Sequence, residues 1–308
     1  MTGDSRSRQR ALGSALLILW TLVIPGFQTA SADVLPGPDL EGFDYVKGTW
    51  GEPLTLGDVW LAEPDQTRGT LSLYYARGGE YWTSEGERRE GTLYRRFTGM
   101  LSFQTSLGRA IDFNLRIPVV AVGTGQYSYT QSRMTLGDAL ARVRIGLTRP
   151  TNNPGCVAFG VGVKFPTGKE ADDNGTATGS GSMDVVATLE SVGQLEIVRL
   201  HANLGFAAPV NEPSDWQDGF SSAFFFGTSI GVQFYPGALA TFGVEGYKRQ
   251  GKEDWGDSYR FTAVPRVEIA NPSRTVFIEL GFDIDLGGEN AVSSLGGILN
   301  FTFQVGKD

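Results

Sequence analysis

The sequence predicts an all-β protein, a single up-and-down antiparallel transmembrane β-barrel of about 12 strands behind a cleaved N-terminal leader. Three observations predict it. Apolar and polar residues alternate with period two in segment after segment, which marks strands whose two faces meet different solvents. The connections between these segments alternate between short and long. After residue 32 no apolar run approaches the ~18 residues of a membrane helix, yet the apolar strand faces are Phe-rich and free of charge.

Residues 1–32 read as a secretory signal peptide. Arg6, Arg8 and Arg10 form a basic start, Ala11 to Gly26 is uncharged and mostly apolar, and Ala30-Ser31-Ala32 supplies the small-x-small cleavage site. A membrane anchor is the competing reading; the stretch is short for one, ends at Pro25-Gly26 and runs into that site. The single cysteine, Cys156, excludes an internal disulfide, which suits an exported closed sheet of the bacterial envelope better than a small secreted domain. The net charge of −8, with no Lys/Arg cluster, argues against a nucleic-acid partner. Residues 33–67 are irregular and rich in Pro, Gly and acids, a candidate plug or leader, and residues 68–308 form the predicted barrel.

Strand by strand, the apolar faces are clear. Leu71, Leu73 and Tyr75 mark the first strand, and Phe97, Leu101 and Phe103 the second. Ile111, Phe113, Leu115, Ile117 and Val119 mark the third, opposite Asp112, Asn114, Arg116 and Pro118. The fourth sets Ala139, Ala141, Val143, Ile145 and Leu147 against Arg142 and Arg144. In the fifth, Val157, Phe159, Val161, Val163 and Phe165 oppose Ala158, Gly160, Gly162 and Lys164; small residues there leave space inside. The sixth sets Val185, Ala187 and Leu189 against Asp184 and Glu190, and the seventh Leu200, Ala202 and Leu204 against Arg199, His201 and Asn203. Phe224 to Phe234 form the eighth and Ala240 to Tyr247 the ninth, with Glu245 on its polar face. The tenth carries Arg260, Arg266 and Glu268 inward, the eleventh Glu279, Asp283 and Asp285, and the twelfth Asn300, Thr302 and Gln304. Each strand has about ten residues, enough to cross a bilayer when tilted.

Short turns are expected at 106–109, 150–155, 192–194, 235–237 and 271–274, on the periplasmic side. Longer outer loops are expected at 79–93, 121–137, 167–183 and 207–219. A β-sandwich also alternates, but its loops do not sort by length in this way. One feature departs from the usual barrel: the chain continues past Phe303 to Asp308 instead of ending on an aromatic residue.

The inward charges are the candidate lumen lining. Arg116, Arg142, Arg144, Lys164, Arg199, Arg260 and Arg266 are basic; Asp112, Asp184, Glu190, Glu245, Glu268, Glu279 and Asp283 are acidic. Their strand assignments place the two signs on different arcs, which sets a transverse field across a wet lumen. The alternative is a salt-bridge network that fills a narrow barrel. No catalytic residue, cofactor or metal site is expected. The Gly-rich stretch at 175–182 lacks the Lys and helix of a phosphate loop, and Asp172-Asp173-Asn174-Gly175 lacks the closing Glu of a calcium loop. His201 is the only histidine; barrel-wall lipases carry Ser and His facing lipid, whereas His201 faces inward beside Arg199.

Four pieces carry a family resemblance: Leu136-Gly137-Asp138, Gly162-Val163-Lys164-Phe165-Pro166-Thr167-Gly168, Thr178-Gly179-Ser180-Gly181-Ser182-Met183-Asp184 and Leu200-His201-Ala202-Asn203-Leu204-Gly205. Together, over about a quarter of the chain, they resemble the outer-membrane β-barrel family described as transporters of the meta-pathway of phenol degradation. The resemblance implies a channel for passive passage of small organic compounds, aromatic or hydrophobic, with outer-membrane lipid as the surrounding partner. A structural or partner-binding barrel with a filled lumen is the alternative, and a barrel-wall hydrolase a distant third.

Overall fold

In a computed structural model, the residues described are 66–108, 110–125, 131–148, 155–168, 179, 182–210, 220–251, 257–289 and 291–306. The predicted leader, the segment up to residue 65, and the Asp172–Gly175 stretch lie outside them. The elements run β1 (Thr67–Trp82), β2 (Arg88–Ser106), β3 (Ile111–Gly125), β4 (Gln131–Leu136), β5 (Ala139–Gly146), β6 (Gly155–Phe165) and β7 (Asp184–Leu195). They continue with β8 (Val198–Pro209), β9 (Phe220–Tyr235), β10 (Ala238–Gly251), β11 (Ser258–Ala270), β12 (Val276–Glu289) and β13 (Ala291–Val305).

Neighbours in sequence pair antiparallel, except β4 and β5, which both pair with β3, and the sheet closes on itself. The first strand bonds to the last from Thr67↔Val305 to Trp82↔Ala291, and to β2 on its other side. Closure removes both edges, so every ladder N–H and C=O inside a bilayer has a strand partner. Strand β3 pairs with β4 along Val119–Thr124 and with β5 along Ile111–Arg116. β4 and β5 are therefore two halves of one stave, interrupted at Gly137-Asp138, and the barrel has 12 staves. All 12 predicted strands fall on these staves.

The predicted lengths need correction. β2 has 19 residues and β9 has 16, while β6 has 11. The segment 79–93, expected as a long loop, is mostly strand: β1 and β2 continue to a tight turn in which Thr83 N donates to Glu87 O at 2.8 Å. Residues 286–289 belong to β12 and 291–298 to β13. The β1–β2 ladder continues there through a register shift between Gly78 and Glu80, while the outer ends of β12 and β13 pair with β11 and β1, where side-chain alternation had weakened as a signal. At the opposite end the fully described turns, 196–197, 236–237 and 271–275, are short, as expected. The turn expected at 192–194 lies at Glu196-Ile197, with Glu196 at φ 53°. Asn271 shapes another: its Oδ1 accepts from Thr275 N (2.8 Å) and Val276 N (3.0 Å).

The two faces separate as the alternation predicts. Leu101, Val161, Ile230, Phe242, Leu280 and Phe303 are exposed on the outside, each at 45% or more of its full surface. Between them, facing in, Asp112, Arg144, Lys164 and Asp184 are fully buried. The interior is not uniformly polar. Toward the long-loop end, Leu140, Val186, Ala207, Phe225 and Tyr247 pack as an apolar cluster across β5–β10. A second cluster joins Tyr74, Ala76, Val264 and Ile298. The expectation of a wet lumen at every level is thus corrected: apolar patches line part of it.

Candidate functional site: paired charges on the barrel interior

The interior charges do not stay on separate arcs. Several find opposite partners on the adjacent strand, and Arg142 and Arg144 reach Glu190 two strands away because their long guanidinium stems cross a strand that carries glycine. Arg144 sits at the centre. Its Nε donates to Asp112 Oδ1 (2.9 Å), one Nη to Asp112 Oδ2 (2.7 Å) and the other to Glu190 Oε2 (2.9 Å). Arg142 pairs with the other oxygen of Glu190, and Gln104 Nε2 donates to Asp112 Oδ2 at 2.7 Å. Glu190 is on β7 and both arginines on β5, so they meet over β6. The inward residues of β6 there are Ala158, Gly160 and Gly162. A Cβ on Gly160 would touch Thr188 Oγ1 and lie 3.3 Å from Arg142 Cδ and Arg144 Cγ; one on Gly162 would lie 2.7 Å from Ala141 O. The space that small residues leave is filled by arginine. This corrects the transverse field: two arginines and two carboxylates offset one another in a dry setting where an unpaired charge costs several kcal/mol.

A second cluster unites three of the four resembling motifs. Lys164 Nζ lies 3.3 Å from Asp138 Oδ2, 3.1 Å from Asp184 Oδ2 and 3.2 Å from Ser182 Oγ. Asp138 Oδ1 accepts from Gly168 N at 3.0 Å, and Thr167 Oγ1 donates to Gly137 O at 2.6 Å. Leu136-Gly137-Asp138, Lys164 to Gly168 and Ser182 to Asp184 thus form one knot where the β4–β5 stave is interrupted. The sequence reading missed Asp138, Thr167 and Ser182 as a unit. The signal was present in the motif spacing, but only the fold brings residues 138, 164 and 184 together.

On the far wall, Arg266 donates to Glu245 Oε1 at 2.6 Å and lies 3.8 Å from Glu279, whose Oε1 accepts from Asn300 Nδ2 at 2.9 Å. Gly281 leaves room for Arg266; a Cβ there would lie 2.7 Å from Arg266 Cγ. Toward the outer rim Arg260 Nε donates to Asp285 at 3.1 Å, Trp82 Nε1 to the same carboxylate at 2.7 Å, and Tyr74 OH to Asp283 at 3.0 Å. Arg116 Nε reaches Asn114 Oδ1 at 3.2 Å. Arg199 and Glu268 line a small recess at the short-turn end with Gln233 and Arg274. Gln104, Tyr74 and Trp82 were not singled out from sequence, although Gln104 shares the inward register of the charged residues; Asn300 was placed on the inward face but given no role.

His201 is buried, with Nδ1 3.3 Å from Ser229 Oγ, its cross-strand neighbour. A hydrolytic pair needs a third group to orient the imidazole through its other nitrogen. Among the described residues Nε2 has no hydrogen-bond partner, and Glu245 in the same cavity is engaged by Arg266.

No protein-family model matches the chain, and no curated protein matches it. Among solved structures, an outer membrane channel from Pseudomonas putida F1 aligns with TM-score 0.71 and 12% identity, over 82% of this chain and 100% of that one. The chain has that fold. The P. putida toluene transporter TodX aligns with TM-score 0.43 and 8% identity, over 80% of this chain and 91% of its own.

Proposed function

We propose that the protein is a bacterial outer-membrane channel for passive passage of small organic compounds, brought there by its N-terminal signal peptide. The observation that carries this reading is a closed 12-stave barrel whose outward face is continuously apolar and whose inward face joins charged clusters to an apolar patch. A closed barrel with that exterior needs a hydrocarbon solvent, and outer membranes are where such barrels reside. An interior with both apolar surface and fixed, internally offset charge suits neutral organic solutes better than ions. The fold shared with an outer membrane channel supports the reading, and the motif resemblance extends it to aromatic or hydrophobic compounds.

Burial of Arg144, Lys164 and Asp184 favours a second reading, a structural or partner-binding barrel with a filled lumen. Liposome swelling and planar-bilayer conductance separate the two. The channel reading expects solute entry that depends on folded protein; folded protein that admits no small solute overturns it.

A further inference from the structure

We infer that the outward face of the β1–β2 hairpin, at Arg77 and Arg95, binds a phosphate of an anionic glycolipid in the outer leaflet. The inference rests on the outer-membrane placement above and not on passage of any solute. Arg77 and Arg95 stand directly opposite one another in the ladder, and both are exposed. Their neighbours Ala76 and Arg96 are buried and face the interior, so the two guanidiniums are on the lipid side of the wall. Like charges directly across a strand pair repel and destabilise the sheet unless an anion joins them.

The protein does not supply that anion. Elsewhere on the hairpin Arg88 pairs with Glu80, and Arg89 donates to Glu87 at 3.1 Å. Arg96 Nε donates to Thr98 Oγ1 at 2.9 Å. Arg77 and Arg95 make no such pair among the described residues. Glu90, the nearest acid along β2, is five residues from Arg95, about 17 Å along a strand. From Gly91 to Gly137 the only acid is Asp112, which faces inward and is held by Arg144. On the other flank Arg77 stands opposite Leu295 of β13.

Position selects the partner. Two residues nearer the short-turn end, Tyr75 stands opposite Phe97, and further down Leu71 opposite Leu101, all of them exposed. That is an aromatic belt above a surface for acyl chains. The eight residues from Gly69 to Arg77 rise about 20 Å at a tilt of about 40°, near the upper edge of an apolar band about 25 Å tall. The β1–β2 turn is at the long-loop end, so this edge meets the outer leaflet. A phosphate monoester carries a charge of about −1.5 to −2 and three strong acceptor oxygens, which match two guanidiniums that each offer paired N–H donors. A zwitterionic headgroup brings its own cation and leaves the repulsion in place. Free phosphate lacks the chains that would cover Tyr75, Phe97 and Leu101.

Native mass spectrometry of the full chain, folded in detergent micelles and titrated with diphosphoryl lipid A, reads the lipid bound per barrel. One saturable site is expected. Arg77→Gln and Arg95→Gln should each weaken binding about 10-fold or more, the factor for one hydrogen bond to a charged group. Arg88→Gln combined with Arg89→Gln removes two charges from the same hairpin and should bind like the native protein. Equal losses in that control, native binding by the Arg77 and Arg95 variants, equal binding of the same lipid stripped of its phosphates, or displacement by inorganic phosphate at matched concentration overturns the inference. Urea unfolding gives a second readout. In phosphatidylcholine vesicles Arg77→Gln should raise the midpoint by relieving repulsion, and in vesicles that also hold lipid A it should lower it; shifts of one sign in both overturn the inference too. Lipid binding in micelles requires no permeation, so its failure and that of the channel reading are separate results.

Discussion

Replacing Arg144 by methionine keeps the volume of the stem and removes the charge on which Asp112 and Glu190 both depend. The native side chain is fully buried and makes three charge-assisted bonds, at 2.9, 2.7 and 2.9 Å. Breaking a buried pair on one side costs about 3–5 kcal/mol, mostly from the carboxylate left behind. Asp112 keeps Gln104 and Glu190 keeps Arg142, so the expected loss is at the lower end, about 3 kcal/mol. Asp112→Asn in the Arg144→Met background removes the stranded charge. The double variant should therefore lose less than the sum of the singles, with a coupling of about 1–3 kcal/mol. Urea unfolding of protein folded into phosphatidylcholine vesicles, followed by the heat-dependent gel mobility of intact barrels, measures all four corners of this cycle. A single-variant loss under about 1 kcal/mol, or additive losses, would refute the view that Arg144 is a dry, shared partner of two acids.

Two further perturbations test the wall itself. Val161→Arg puts a charge mid-strand on the outward face, where Val161 is 47% exposed; it should cost about 2–4 kcal/mol in vesicles and far less in a detergent that lets the guanidinium reach water. Equal cost in both would place that face in water. Gly160→Ala drives a methyl against Thr188 Oγ1 and the two arginine stems, an overpacking worth about 1–3 kcal/mol, whereas Gly69→Ala, with nothing within 4 Å of the added carbon, should fold like the native chain. Indistinguishable unfolding midpoints for the two glycine variants would remove the argument that β6 is small so that arginines can cross it.

Much of the architecture was legible because period-two alternation is a local property. Val157 to Phe165 declares an outward and an inward face without reference to any other strand, and twelve such declarations with an even count imply closure. The short turns were legible for the same reason, through Pro236-Gly237 and Asn271-Pro272. Outer-strand extensions were not: Arg77 to Trp82 and Arg88 to Tyr94 lose alternation above the apolar band, and their pairing is a property of the hairpin, not of either segment. The interior misled in a similar way. Strand assignments put Arg142 and Arg144 on one arc and Glu190 on another, but a side chain reaches past its own strand when the intervening one carries glycine. Leu140, Val186, Phe225 and Tyr247 share the inward register with charged residues, and nothing in their own strands says that they meet.

The sequence by itself therefore determined the two faces, the number of staves and which residues point inward, since each follows from the alternation of neighbours along one strand. Only the tertiary structure decided that Lys164 ties Asp138 to Asp184, that Arg144 joins Asp112 to Glu190, and that His201 and Asn203 share a cavity. The ion-pair partners lie on different strands, and their distances depend on register and on which strand between them lacks side chains; His201 and Asn203 are two apart on β8, and the rest of their cavity comes from β9, β10 and β11.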